Sequence, residues 1–174
     1  MSHEILHIRQ FGDPILRQRT SRIVLKKMQS VHLRRVIRRM FRTLRKASGA
    51  GLAAQQVGYL LRLAVVDVRS KRTKRNALWA VLLNPVIVSY SKSKVQSWEG
   101  CLSLPGVRGK VPRAKRIRTR YWDASAMKCE EEVSGYHALV FQHETDHLNG
   151  VLFVDRLKDV KSLMSEKEFR ERIS

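Results

Sequence analysis

Ser134-Gly135-Tyr136-His137-Ala138-Leu139-Val140-Phe141-Gln142-His143-Glu144-Thr145-Asp146-His147-Leu148-Asn149-Gly150 is the stretch on which the fold turns. Ser134 can cap a helix, an apolar run fills it through to His147-Leu148, and Gly150 suits the left-handed stop, so the segment predicts one buried helix. His143 and His147 stand a turn apart on one face, with Cβ atoms ~5–6 Å apart, a spacing that lets two imidazoles share one ion. Glu144 projects beside them, within reach of a proton on water activated by that ion. Two packed core histidines and a surface acid are the other reading, but on an apolar helix each of those groups needs a partner of its own. One metal satisfies all three at once.

Upstream of this helix, the alternation of Ile117, Thr119 and Tyr121 with Arg116, Arg118 and Arg120 predicts a half-buried strand over 115–122. A turn near Asp123-Ala124-Ser125 leads into Met127 to Val133, giving an antiparallel hairpin. Arg62 to Val68 reads as a buried strand and Leu78 to Val88 as one or two more, with Ser70 to Asn76 a polar basic loop between them. Asn84-Pro85 interrupts the second run and predicts an edge strand or a bend. Nearer the N-terminus, Leu33, Val36, Ile37, Met40, Phe41 and Leu44 recur at helical spacing, while Arg34, Arg35, Arg38, Arg39, Arg42, Arg45 and Lys46 fill the remaining arc. That is an amphipathic surface helix over 30–46. No repeat or low-complexity linker appears, so the expected class is α+β: a single domain over residues 1–174, mostly antiparallel sheets around a central buried helix, with a short C-terminal helix from about Ser162.

The 174 residues are enough for one real core and too few for two comfortable ones. No apolar run approaches the ~20 residues of a membrane helix. Met1 to Leu6 lack the basic flank and apolar core of a secretory signal, so the expected compartment is the cytoplasm, with an organellar matrix or stroma as the alternative. Lys and Arg number 35 against 15 Asp and Glu, a formal charge of +20 that draws the chain towards polyanions. A solvated basic shell and an RNA-facing surface both fit that charge. Cys101 and Cys129 are the two cysteines, for which a single bridge is one option.

A catalytic zinc-type site takes three protein ligands plus water. The extended pattern H-E-x-x-H-x-x-G-x-x-H matches at Gly150 but meets Phe153 at its last position, which cannot ligate. Glu166 or Glu168, some twenty residues downstream, is a second candidate. Cys101 in Glu99-Gly100-Cys101-Leu102-Ser103 is a third; its thiolate suits a borderline-soft ion, and the neighbouring glycine lets backbone come close.

Three segments in order resemble the peptide deformylase family: Gly49-Ala50-Gly51-Leu52-Ala53-Ala54-Gln55-Gln56, Glu99-Gly100-Cys101-Leu102-Ser103, and Gln142-His143-Glu144-Thr145-Asp146-His147. The likeness runs from Gly12-Asp13-Pro14 to about Leu157. It implies removal of the formyl group from formylmethionyl nascent peptides, with formate released. It further implies one divalent metal on Cys101, His143 and His147, most often Fe(II) in the cell, with Zn(II), Ni(II) or Co(II) able to take its place. By the same resemblance Glu144 moves the proton, and Gln56 and the Leu102 N–H stabilise the oxyanion. Gly51 and Gly100 present backbone to the substrate, Ala50, Tyr136, Leu139 and Val140 line the methionine pocket, and Arg108 lies near the substrate backbone. Gln56 taken alone reads equally as a surface amide.

Some family members carry a longer basic C-terminal helix for ribosome contact, whereas here only Arg156 to Ser174 follow Asp155. The arginine face over 34–46, or the Arg113–Arg120 strand, is the surface expected to meet ribosomal RNA instead.

Overall fold

The computed structural model describes residues 5–67 and 79–173. After a short helix α1 (Leu25–Met28), the amphipathic helix α2 runs over Val31–Lys46, and the Ser30 hydroxyl caps it by accepting the Leu33 N–H at 3.2 Å. Leu33, Val36, Ile37, Met40 and Leu44 are buried, as the 3.6-residue period requires, and Arg34, Arg35, Arg38, Arg42, Arg45 and Lys46 point to solvent.

Strands β1 (Gly51–Ala53), β2 (Leu63–Asp67), β3 (Trp79–Tyr90), β6 (Arg116–Trp122) and β7 (Lys128–Ser134) form one five-stranded antiparallel sheet in the order β1-β2-β3-β6-β7. β2 is covered on both faces: Leu63 and Val65 pack with the α2 core, Ala64 and Val66 with the core under helix α3 (Gly135–Leu148). That double burial is why β2 reads as an unbroken apolar run rather than an alternating one. Strands β4 (Lys94–Cys101), β5 (Leu104–Ala114) and β8 (Met164–Ser165) form a second, three-stranded sheet.

The Asn84-Pro85 interruption is a bend but not an edge. β3 sits mid-sheet between β2 and β6, and its register with β6 shifts between Leu83 and Val86. Asn84 takes the left-handed conformation (φ 52°), and its amide exchanges two bonds with the Ile23 backbone, accepting at 2.8 Å and donating at 2.7 Å. The bulge thus absorbs a proline that cannot donate to a ladder. The Ser70 to Asn76 loop lies outside the described residues.

Helix α3 follows Ser134 as expected, although the serine hydroxyl makes no capping bond. It stops at Gly150 (φ 78°), where a Cβ would lie 2.4 Å from the Arg17 carbonyl oxygen, so only glycine fits. Gln142 ties α3 to the end of β5, accepting the Ala114 N–H and donating to the Ala114 carbonyl, each at 3.0 Å. The C-terminal helix α4 covers Glu166–Arg172, beginning later than Ser162 because a 3₁₀ turn (Val160–Ser162) and β8 come first. Cys101 and Cys129 are both free thiols, which removes the bridge.

Candidate metal centre and active site

Helix α3 brings the His143 and His147 rings to 4.9 Å between centroids, at 75° to each other. Across from them, the register of β4 and β5 slips between Glu99 and Cys101 at the end of the hairpin, and the Cys101 Sγ comes to 3.2 Å from His147 Nε2. Ligand atoms of Cys101, His143 and His147 all lie within 4.8 Å of one another. Phe153 packs its ring on His143 (centroids 6.4 Å, 24°), so the position that ends the longer histidine pattern is a wall of the site. Glu166 and Glu168 are spent elsewhere: Glu166 accepts from Arg108 and Arg170, and Glu168 pairs with Arg172.

Behind the histidines lies a buried ionic chain. Glu99 accepts from His143 Nδ1 at 2.9 Å and from Arg113 Nε and Nη2 at 2.7 and 3.0 Å. Arg113 Nη1 donates to Asp146 at 2.5 Å, and Asp146 also accepts from Arg156 Nη2 at 2.7 Å. Burial alone would raise the Glu99 carboxyl, but the bonds from Arg113 and His143 hold it down to about 2. Because that carboxylate needs a donor, Nδ1 of His143 carries the proton and Nε2 turns to the thiol. Motif and spacing give Glu99 and Asp146 no task, and put Arg113 at the start of a strand that is one of two candidate RNA-facing surfaces. Arg113 is in fact 5% exposed. Arg118 and Arg120 of β6 share Glu130, and Arg116 faces Glu132, so that strand's cations are already paired.

The donor set fits a metal. Burial raises the Cys101 thiol, yet the charge of His147 and bonds from both histidines outweigh it and bring it well below its ordinary value, towards the thiolate that ligates. Glu144 is buried beside the three, and its Oε2 has no hydrogen-bond partner among the described residues; burial pushes its carboxyl up to about 7 against the pull of His143 and His147. An acid left unsatisfied in such a place needs a ligand, water or ion in front of it.

Gln56 is 1% exposed on the 3₁₀ turn Ala54–Val57, which disposes of the surface-amide reading. Its Oε1 accepts the Ala53 N–H at 2.9 Å, so its NH₂ must face Ser103 Oγ (3.1 Å) and the Cys101 sulfur (3.4 Å). A cleft of about 720 Å³ opens over these groups. Gly51, Gly100, Leu102 and Arg108 line it together with Ala50, Tyr136, Leu139 and Val140, of which Tyr136 is exposed and Val140 buried.

Half-buried Cys101 and the two imidazoles of an H-E-x-x-H helix converge beside the buried Glu144 carboxyl, all of them lining or adjoining one cleft, and such a set defines a metal-dependent hydrolase. The chain matches the polypeptide deformylase family over residues 5–163 and belongs to it. It is 42% identical over 158 residues to the peptide deformylase of Leptospira biflexa, covering 88% of each chain, and 40% identical over 164 residues to that of Thermotoga neapolitana, covering 94% of each. The crystal structure of the Thermotoga maritima enzyme superposes with a TM-score of 0.82 at 39% identity, over 90% of this chain and 100% of that one. The Met-Ala-Ser-bound class I type b enzyme of Acinetobacter baumannii does so with a TM-score of 0.84 at 31% identity, over 90% and 100%. The reaction is removal of the N-formyl group from the formylmethionine of newly made polypeptides, with release of formate.

Proposed function

We propose that Cys101, His143 and His147 hold the divalent ion of this reaction and that Glu144 carries its proton, within one catalytic domain spanning residues 1–174. The observation behind this is the convergence of the three ligand atoms within 4.8 Å beside a buried carboxyl oxygen with no hydrogen-bond partner among the described residues. When bound, the ion polarises the formyl carbonyl and makes water acidic enough to attack at neutral pH. Glu144 takes the proton as water adds to the formyl carbon and returns it to the departing amine nitrogen. Gln56 Nε2 and the Leu102 N–H meet the oxyanion, each worth on the order of 3 kcal/mol of barrier. Glu99, charged through Arg113, keeps His143 in the tautomer that presents Nε2.

The cleft then takes the peptide along Gly51 and Gly100, where a side chain would strike Glu144 and Arg108 respectively. Ala50, Tyr136, Leu139 and Val140 receive the methionine thioether, and Arg108 stands beside the chain that follows. The Met-Ala-Ser peptide held by the Acinetobacter baumannii enzyme has the chemistry of the product of this reaction. Fe(II) is the proposed ion in the cell, with Zn(II), Ni(II) or Co(II) competent at the same three ligands. For docking near an emerging chain in the cytoplasm, or in an organellar matrix or stroma, the favoured surface is the cationic face of α2. It contains no acidic residue, and Arg34, Arg35, Arg38, Arg42 and Arg45 have no acidic partner among the described residues.

Formate release from formyl-Met-Ala-Ser by protein loaded anaerobically with Fe(II) or Ni(II) tests the reading. Turnover is expected; a metal-loaded, folded protein that releases no formate overturns it.

A further inference from the structure

Helix α4 contributes Glu166 and Arg170 to the lining of the cleft. β8 pairs with β5 at Val107↔Ser165 and Arg108↔Met164, which sets Glu166, the first residue of α4, opposite the Arg108 side chain. Glu166 accepts from Arg108 Nε at 2.5 Å and from Nη2 at 3.1 Å. From the same helix, the Phe169 ring lies 5.1 Å from the Arg108 Cζ and leans on Trp98 at 5.6 Å. On its other side the guanidinium presses on Gly100, where an added Cβ would sit 2.9 Å from Cζ and Nε. A long, flexible side chain is thereby fixed on three sides, and only Nη1 is left without a hydrogen bond among the described residues.

We infer that Glu166 is a positioning residue for substrate: by engaging Nε and Nη2 of Arg108 it aims Nη1 at a backbone carbonyl of the peptide downstream of the formylmethionine. Glu166 touches neither the reacting atoms nor the ion, so it governs how tightly the peptide chain is held and not how fast the formyl group leaves. Arg108, then Arg170, hold its carboxyl down to about 2, so the clamp stays charged throughout the neutral range. The inference rests on the placement of the peptide along Gly100 proposed above.

The test compares KM and kcat of the metal-loaded enzyme for formyl-Met-Ala-Ser and for formylmethionine amide, which has no downstream chain. Glu166→Ala is expected to raise KM for the tripeptide about tenfold, the loss of roughly one charge-assisted hydrogen bond, with kcat unchanged and the amide unaffected. Glu166→Gln, a neutral isostere that preserves the helix terminus, is expected to fall between. In an Arg108→Ala background Glu166→Ala is expected to add nothing, since the effect passes through that guanidinium. Glu168→Ala, which breaks only the pair with Arg172 on the same helix, is expected to behave as the wild type. An unchanged KM for the tripeptide, an equal rise for the amide, or additivity with Arg108→Ala overturns the inference. Turnover of the amide but no dependence on chain length in the wild type overturns it too, while no turnover of either substrate removes the underlying reading along with it.

Discussion

A Cβ placed on Gly51 would run into the Glu144 carboxyl, so a side chain on this glycine of β1 would displace the acid of α3. The strand sets where the carboxylate can stand. Gly51→Ala is therefore predicted to push Glu144 aside while leaving the ligands in place. Displacement of a catalytic group by about 1 Å costs roughly 100-fold in rate, so kcat should fall by about that factor. Metal content should stay near one ion per chain; a variant that turns over normally would contradict the contact.

Arg113 holds two buried carboxylates, Glu99 and Asp146. Removing it with Arg113→Met leaves both charges without their shared partner, and breaking such a pair costs roughly 3–5 kcal/mol. Chemical denaturation should show a loss of that order. Competition with a chelator should also show metal affinity reduced by about 10- to 100-fold, because Glu99 no longer fixes His143.

The same chain predicts an acid limb of stability. Glu99 has a folded value of about 2 against an ordinary 4.5, so it is depressed by folding. Its contribution is fully present above about 4.5 and is lost as pH falls towards 2. Urea midpoints of metal-free protein should decline across that window, and the Glu99-linked part of the decline should be missing in Glu99→Gln.

Part of this could be read along the chain and part could not. His143 to His147 was legible because helical spacing, an apolar setting and a terminal glycine agree. The α2 stripe and the β6–β7 hairpin were legible from period alone. By contrast β4 and β5, which carry Cys101 and Arg108, showed no clear alternation: Gly100, Pro105, Gly106, Gly109 and Pro112 break the pattern. Asn84-Pro85 left an edge and a bend both open, because the bulge that makes it a bend inside a sheet depends on a partner, Ile23, far away in sequence. Arg113 looked like surface because its charge is visible in the sequence and its two buried anions are not. Glu166 looked like a distant ligand candidate until β8 brought it to Arg108.

The cationic face of α2 predicts salt-sensitive RNA binding. Affinity for a ribosomal RNA fragment should fall steeply between ~50 and ~200 mM salt, and each arginine removed should lower the slope by about one. Arg38→Glu with Arg42→Glu should weaken binding without changing formate release from a free tripeptide. A flat salt series would remove α2 as the docking face.

An Fe(II) site with a thiolate ligand should be lost in air as Cys101 is oxidised, and the Ni(II) form should outlast it. Activity followed over time in air, with the sulfur state read by mass spectrometry, checks this; equal lifetimes would point to another cause of decay.

The most direct test of the account is Glu144→Gln, with bound metal and single-turnover formate release measured on the same sample. The account predicts a full complement of metal and a rate lower by at least about 100-fold, because the ligands survive and the proton carrier does not. Formate released at the wild-type rate by that variant would contradict it.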